Sequence, residues 1–171
     1  MEFLELAKKR FSVRDYEDKQ IEKEVLDKII EAGYIAPTAK NNQCARVYVI
    51  QSEDGIAKIR SLSRCAYNAP TVLLIAYEES EQYFNSKEEG VSSGQQDASI
   101  VACHMMLEAA DLGVGSVWVD VFPNTLTARE FNLPESVKPV CLMPMGYAKE
   151  GVVPSPMHTD LRPINEMVKY L

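Results

Sequence analysis

Basic residues are in the minority in this sequence. Of its 171 residues, 18 are lysine or arginine and 25 are aspartate or glutamate, which gives a formal net charge of −7. A general nucleic-acid-binding protein needs a basic surface to neutralise phosphates. The acidic balance therefore predicts no nucleic-acid partner, although a few arginines can still converge on one local anion site.

Long apolar runs are also missing. A membrane-spanning helix needs about 20 predominantly apolar residues, and no stretch of the chain approaches that length. The opening segment MEFLELAKKR carries alternating charges where an export signal would carry an apolar stretch. We therefore expect a cytoplasmic protein with no membrane segment.

The cysteines and histidines lack the spacing of a metal site. Cys44, Cys65, Cys103 and Cys141 lie far apart, with no C-x-x-C pair and no histidine in zinc-site spacing. Structural zinc sites and thioredoxin-like redox sites both need paired cysteines, so we predict neither. Cys103 and Cys141 lie inside apolar runs and are predicted to be small core residues.

The remaining composition, 46% hydrophobic and 25% charged, is that of an ordinary globular protein. The length suits a single domain over residues 1–171.

Helices alternate with about four strands, which indicates an α/β or α+β fold built on a long buried helix beside a sheet. The predicted helices are 2–10, 22–36, 56–63, 95–113, 127–131 and a tail at 164–170; the predicted strands are 46–52, 71–79, 114–122 and 138–148; residues 80–93 are predicted to be an exposed loop.

The segment RFSVR, residues 10–14, alternates cationic, hydroxyl and apolar side chains. If it leaves the first helix extended, Arg10, Ser12 and Arg14 point to one side. Phe11 and Val13 then face the core. Two guanidiniums and a hydroxyl suit a phosphate, but a solvated helix C-terminus explains the same cations equally well.

Two further segments are suited to a flat heterocycle. Residues 36–50, APTAKNNQCARVYVI, concentrate amides and hydroxyls that present both donors and acceptors, although plain turn chemistry explains them slightly better. In LGVGSVWVD, residues 112–120, two glycines allow close approach of the backbone. This segment is not a G-x-G-x-x-G motif, so a Rossmann nicotinamide site is disfavoured, and Trp118 alone is more typical of a core.

Five segments follow one another in a characteristic order along nearly the whole chain. They are RFSVRDY, APTAKNNQ, DASIVACHMMLEAADLGVGSVWV, NLPESVKPVCLMPMGY and RPINEMV. In this order and spacing the chain resembles the nitroreductase family of FMN-dependent oxidoreductases. The resemblance implies an α+β sandwich with a central, mostly antiparallel sheet flanked by helices around a long buried helix. It also implies a homodimer with FMN at the interface.

The activity that the resemblance implies is reduction of nitroaromatics, quinones or related acceptors, with NADH or NADPH as hydride donor in a ping-pong reaction. The flavin would perform the redox chemistry, so no catalytic side chain is assigned. The N-terminal arginines and Ser12, with a C-terminal arginine, would hold the FMN phosphate and ribityl chain. The segment PTAKN would reach the flavin from the partner subunit, and GSVW would run beside the isoalloxazine. The implied cofactor-binding residues are Arg10, Phe11, Ser12, Arg14, Pro37, Thr38, Ala39, Asn41, Gly115, Ser116, Val117, Trp118 and Arg162.

The sequence departs from the family pattern in three places. The usual Gln-Pro-Trp is replaced by Gln43-Cys44-Ala45, Thr38 replaces a serine, and Asp160 stands where some relatives carry a second cation. These changes lie around the expected cofactor and acceptor sites. The cofactor is therefore implied more directly than the acceptor.

Four other polar residues are expected near the site or in the core. His104 lies in the middle of the long helix and is interpreted as structural. His158 lies in the tail near Arg162 and could screen the phosphate. Tyr67 and Asn68 precede a buried strand and could line the flavin or the acceptor opening.

Three alternatives stay open from the sequence. A flavin-binding redox sensor or flavin store would keep the arginines without turnover. A reductive dehalogenase or a flavin-processing enzyme would use the same fold with a substrate-specific lid, which residues 80–93 do not reveal. An interaction domain without cofactor would use RFSVR only as a helix end.

Overall fold

A computed structural model describes residues 2–171. In this part of the chain an antiparallel sheet packs against helices on both faces, so the α+β class is confirmed. The strands are β1 (Ala45–Ile50), β2 (Thr71–Glu78), β3 (Gly115–Ser116) and β4 (Val137–Gly146), in the order β1-β2-β4-β3. The helices are α1 (Phe3–Lys9), α2 (Lys23–Tyr34), α3 (Glu53–Leu62), α4 (Gly94–Asp111), α5 (Asn124–Glu130) and α6 (Ile164–Met167).

Strand β2 lies inside the sheet, between β1 and β4. Its first six residues are fully buried, because both faces of the sheet are covered. Successive side chains of a strand point to opposite faces. Accordingly, Leu73 and Ile75 pack in the cluster beneath α2 and α4, while Val72 and Leu74 pack in the cluster on the other face.

Helix α4 is the long buried helix expected from the sequence. It packs against α2 and against the sheet. Gly113 follows its end with φ of +79°, the left-handed conformation that a helix C-terminus favours and glycine adopts without strain. The buried face of α4 consists of Gly94, Asp97, Ala98, Val101, Ala102, Met105 and Ala109.

Strand β3 is much shorter than the strand predicted over 114–122. The ladder pairs Ser116 with Met145, and the next pair would place Val117 opposite Pro144. Proline has no N–H and cannot continue the ladder. Val117 donates to the Pro144 carbonyl, and pairing resumes only as an isolated bridge between Val119 and Leu142.

The predicted end of α2 and the predicted burial of Cys103 also differ. Helix α2 ends at Tyr34 rather than residue 36, because the last turn tightens before Pro37, with Ala36 N–H donating to the Gly33 carbonyl. Helix α1 buries Leu6 and exposes Phe3 and Leu4. Cys103 is exposed, whereas Cys141 is buried as expected, and all four cysteines are free thiols.

Residues 80–93 form a hairpin-like loop that is held in place by hydrogen bonds within the loop and to the start of α4. Phe84 pairs with Ser92 in an antiparallel bridge, and Asn85 N–H donates to the Val91 carbonyl. The buried Gln82 side chain accepts a hydrogen bond from Gly94 N–H at the start of α4.

No helix within residues 2–171 has the length and apolar character to cross a membrane. The same residues contain no cluster of three or more His, Cys, Asp or Glu side chains suited to a metal ion.

The C-terminal segment, residues 153–171, leaves many large apolar side chains in solvent. Side chains of this kind are normally buried against another surface. The exposed ones are Val153, Met157, Leu161, Ile164, Met167, Tyr170 and Leu171.

Candidate functional site

The segment RFSVR leaves α1 in an extended conformation, as the alternation predicts. Helix α1 ends at Lys9, and Arg10 has φ of −60° and ψ of 130°. Val13 is buried, Phe11 is half-buried against the same cluster, and Arg14 is exposed. Arg14 folds back along the chain, where its Nη1 donates to the Ser12 carbonyl at 3.2 Å.

This extended segment lies beside the GSVW segment, which is about 100 residues away in sequence. Ser12 and Ser116 form a parallel bridge, and Val13 N–H donates to the Ser116 carbonyl at 3.1 Å. Gly115 makes this approach possible, because a Cβ there would lie 2.6 Å from Val13 Cγ2. The fold therefore joins two of the three segments selected from the sequence.

A cavity of about 240 Å³ opens where these segments meet, at the C-terminal ends of α1 and α4. Lys9 and Arg10 contribute cationic side chains to its wall. Ser12, Arg14, Val117 and Trp118 lie outside the lining. The lining residues are Leu6, Lys9, Arg10, Phe11, Val13, Ala110, Gly113, Val114, Gly115, Ser116 and Ala148.

The segment that follows α2 lines a different cavity, of about 290 Å³. Thr38 and Gln43 lie in its wall, and Gln43 N–H donates to Thr38 Oγ1 at 3.0 Å. Pro37 and Asn41 are exposed and Ala39 is half-buried. The two cavities share no lining residue, so a single chain does not bring PTAKN together with RFSVR and GSVW in one cavity.

The C-terminal arginine, Arg162, is not among the lining residues of either cavity. The side chain of Arg162 is 90% exposed and forms an ion pair only with Glu166, at 4.0 Å, among the described residues. His158 lies closer to the first cavity: its Nε2 is 2.9 Å from the Lys8 carbonyl and its ring meets Phe11 edge-on.

The other selected residues have structural contacts of their own. His104 is exposed on α4, with Nδ1 2.9 Å from the Ile100 carbonyl. Trp118 is half-buried and donates from Nε1 to Asp120 at 2.7 Å. The Asn68 amide bonds both the N–H and the carbonyl of Tyr16, so it fixes the end of the RFSVRDY segment.

The nitroreductase family matches residues 7–67 and 61–147, which together include both cavities' polar walls. The chain belongs to the nitroreductase family. The family resemblance and the nitroreductase fold expected from the sequence are thereby confirmed.

Solved structures of this family closely match the chain. A nitroreductase family protein from Clostridium difficile 630 is 38% identical, with a TM-score of 0.92, over 99% of this chain and 98% of that chain. An Exiguobacterium sibiricum structure described as a nitroreductase in complex with FMN is 22% identical, with a TM-score of 0.84. That alignment covers 100% of this chain and 98% of the other, and at this identity it shows the shared fold alone.

A curated sequence relative carries a name of the same family. The Methanothermobacter thermautotrophicus protein that carries the name NADH dehydrogenase/NAD(P)H nitroreductase is 29% identical over 158 residues. This alignment covers 88% of the present chain and 80% of the relative.

Asp97 on α4 is a buried charged residue that was not predicted from the sequence. Its carboxylate accepts hydrogen bonds from Ala39 N–H, at 2.9 Å, and from Ser93 Oγ, at 2.7 Å. The signal was present, because residues 97, 101 and 105 repeat every four positions along a buried helix face. A charged residue on such a face is rarely left without a structural or functional role.

Proposed function

We propose that the chain, as one domain over residues 1–171, is an FMN-dependent oxidoreductase. It would use NADH or NADPH to reduce nitroaromatics, quinones or related acceptors in a ping-pong reaction. The observation that carries this proposal is the cavity in which Arg10 and Phe11 meet Gly115 and Ser116, in a chain of the nitroreductase family. The names of the relatives support the choice of hydride donor and of cofactor.

The residues at this cavity fit FMN. Arg10 and Lys9 offer cations for a phosphate at one end, with Arg14 and the Ser12 hydroxyl next to them in the chain. Val13 and Val114 provide an apolar wall, and Gly113, at whose Cβ position nothing lies within 4 Å, leaves the backbone open to a flat ring. When bound, FMN would accept a hydride from the nicotinamide and pass it to the acceptor.

The protein's own contribution would be binding and orientation. Arg10 is held at the C-terminal end of α1, where its backbone N–H donates to the Leu6 carbonyl. The bridge between Ser12 and Ser116 fixes the distance between the phosphate end and the GSVW strand. We therefore assign no catalytic side chain to the reaction.

We further propose that the enzyme is a homodimer with one FMN site shared by two chains. Small-molecule sites usually occupy about 300–1,000 Å³, and each of the two cavities lies at or below the lower end of that range. A second copy would bring its Thr38 segment to the Arg10 cavity. It would also cover the exposed apolar residues of the C-terminal segment.

The first experiment is an absorbance spectrum of the purified protein, followed by titration of the flavin-free protein with FMN. We expect flavin bands and released FMN, and loss of FMN binding by at least about tenfold in R10A and R14A, because each removes a charged phosphate contact. K28A, an exposed cation on α2, is the matched control and should bind FMN as the unchanged protein does. A protein that binds no FMN under any condition contradicts the proposal.

Turnover separates the proposed enzyme from a flavin store or redox sensor. Oxidation of NADH and NADPH is measured with and without a nitroaromatic or a quinone. Steady-state consumption that depends on the acceptor supports the enzyme. FMN binding without turnover would assign the protein to the flavin-storing class. The cytoplasmic location expected from the sequence stays a prediction.

A further inference from the structure

The segment after α2 has a backbone that ordinary residues rarely adopt. Lys40, Asn41 and Gln43 have φ of 51°, 57° and 54°. Residues other than glycine disfavour this left-handed region by about 1–2 kcal/mol each, with asparagine the most tolerant. Such a conformation persists only where the surrounding structure fixes it.

The carboxylate of Asp97 is bound to both ends of this segment. Oδ1 accepts a hydrogen bond from Ala39 N–H at 2.9 Å, before the left-handed residues. Oδ2 lies 3.5 Å from the Cys44 thiol, directly after them. Asp97 is only 2% exposed, so the bond from Ala39 N–H forms away from water and is correspondingly strong, whereas the thiol at 3.5 Å is a weaker donor.

The donors around this carboxylate are neutral groups whose protonation is stable. Burial, with a smaller effect from Asp97, raises the pKa of the Cys44 thiol to about 11, so it remains an S–H donor at neutral pH. The third donor is Ser93 Oγ, at 2.7 Å. Asp97 lies in the first turn of α4, where a carboxylate interacts favourably with the helix dipole.

Ser93 connects the same carboxylate to the 80–93 loop. Its hydroxyl accepts a hydrogen bond from Tyr83 N–H at 3.1 Å, and the Tyr83 ring lies 5.1 Å beneath the Lys40 ammonium. Asn42 reaches the same loop, since its Nδ2 donates to the Glu81 carbonyl at 3.0 Å. The left-handed segment is thus fixed on α4 from one side and on the loop from the other.

We propose that Asp97 is a positioning residue for the cofactor: it holds residues 38–44 in the conformation in which Thr38, Ala39 and Asn41 contact FMN. This inference rests on the proposed function, because it concerns how the chain meets that cofactor. Asp97 itself does not touch the flavin. It acts by fixing a backbone that would otherwise relax out of the left-handed region.

Two variants and a control test this role. D97A removes every acceptor, whereas D97N keeps an amide oxygen that can still accept from Ala39 N–H. E79Q neutralises an exposed carboxylate that pairs with Lys138 and does not touch the 38–44 segment. Amide hydrogen exchange over residues 38–44 is measured in the flavin-free protein, and FMN affinity and the visible spectrum of bound FMN are measured after reconstitution.

We expect D97A to exchange faster at Ala39 and to bind FMN at least about tenfold more weakly, because a charge-assisted hydrogen bond is lost. D97N should lie between D97A and the unchanged protein, with a loss of about threefold, since a neutral bond replaces a charged one. E79Q should match the unchanged protein. A general loss of stability would instead raise exchange throughout the core and would not follow this order.

Unchanged exchange over residues 38–44 together with unchanged FMN affinity in D97A overturns the inference. If D97A does not fold, the same comparison in D97N decides it. If the unchanged protein binds no FMN, the proposed function fails. In that case the exchange measurement still decides whether Asp97 holds the segment.

Discussion

The hydroxyl of Tyr16 joins the N-terminal segment to the middle of the sheet. Tyr16 is fully buried, and its hydroxyl lies 2.6 Å from the Val13 carbonyl and 3.1 Å from the Pro144 carbonyl. Burial raises the pKa of this phenol far above its ordinary value of 10.0, so it stays a donor over the whole range in which the protein is handled.

Replacing Tyr16 with phenylalanine should lower the free energy of unfolding by about 1–3 kcal/mol, because the buried Val13 carbonyl loses its donor, whereas the Pro144 carbonyl keeps the Val117 N–H. Urea denaturation measures this change. Y34F is the control: Tyr34 is 83% exposed, so its loss should cost no more than about 0.5 kcal/mol. Equal stability of the two variants would contradict the role given to Tyr16.

Single residues were harder to predict than segments. Cys103 and Cys141 both lie in apolar runs, but one lies on the outer side of a helix and the other inside the sheet. An apolar run does not state which of its residues faces the core. Asp97 was missed because its partners, Ala39 and Cys44, are more than 50 residues away and only the fold brings them near.

The RFSVR segment was predicted well because its signal is local. Period-two alternation directly fixes which side chains share a face. Strand β3 was predicted too long because its end depends on Pro144 in another strand. The sequence of one strand does not show which residues of a distant strand will pair with it. The separation of the two cavities also depends on tertiary contacts and could not be predicted from the sequence.

The packing of the extended segment on β3 should depend on Gly115. In G115A the new Cβ would meet Val13, whose branched side chain is buried and has few alternative rotamers. We expect a loss of about 1–3 kcal/mol in the free energy of unfolding and weaker FMN binding.

A double-mutant cycle checks this cause. V13A provides room for the added methyl group, so G115A should cost less in the V13A background than alone. Urea denaturation of the four proteins gives the coupling. Additive effects would show that Gly115 is needed for a reason other than its approach to Val13.

A second contact between elements depends on a carboxylate, Glu22, that becomes protonated in acid. Glu22 precedes α2, pairs with Lys19 and accepts a hydrogen bond from the Tyr147 hydroxyl beyond β4. The Lys19 contact first, and the Tyr147 contact second, lower the pKa of Glu22 from its ordinary value of 4.5 to about 2. A lowered pKa stabilises the fold above the unfolded value and ceases to do so as the pH falls through the folded value.

The stability contributed by Glu22 should therefore be complete above about pH 4.5 and be lost as the pH falls towards about 2. We expect E22Q to show a shallower decline in urea midpoint over this window than the unchanged protein. Because Glu22 is exposed, the difference should be small and should shrink further in salt. Parallel declines in the two proteins would contradict the assignment.

At the scale of the whole molecule, two of the uncovered apolar surfaces among residues 2–171 bear on the proposed homodimer. One is the C-terminal segment, and the other is a groove of about 650 Å³ between α1, α2 and α4. Ile100 and Cys103 lie in the wall of this groove. Under the proposed homodimer, a second copy covers surfaces of this kind.

A charge in the groove should separate the subunits. We expect I100E to raise the dimer dissociation constant at least about tenfold, because a carboxylate would be buried without a partner. Sedimentation measures the change. L126E, on α5 and similarly exposed, is the matched control. Dimers of equal stability in I100E and L126E would place the interface elsewhere.

The Arg10 cavity and the Thr38 cavity are separate in one chain. Under the proposed homodimer, this separation affects the fraction of the protein that carries FMN in a cell. A cofactor that contacts two chains must strengthen their association by the same factor by which their association strengthens its binding. In the proposed homodimer, dilution would release FMN, and added FMN would oppose dissociation. The abundance of the protein would itself set the fraction that carries cofactor, with no separate regulator.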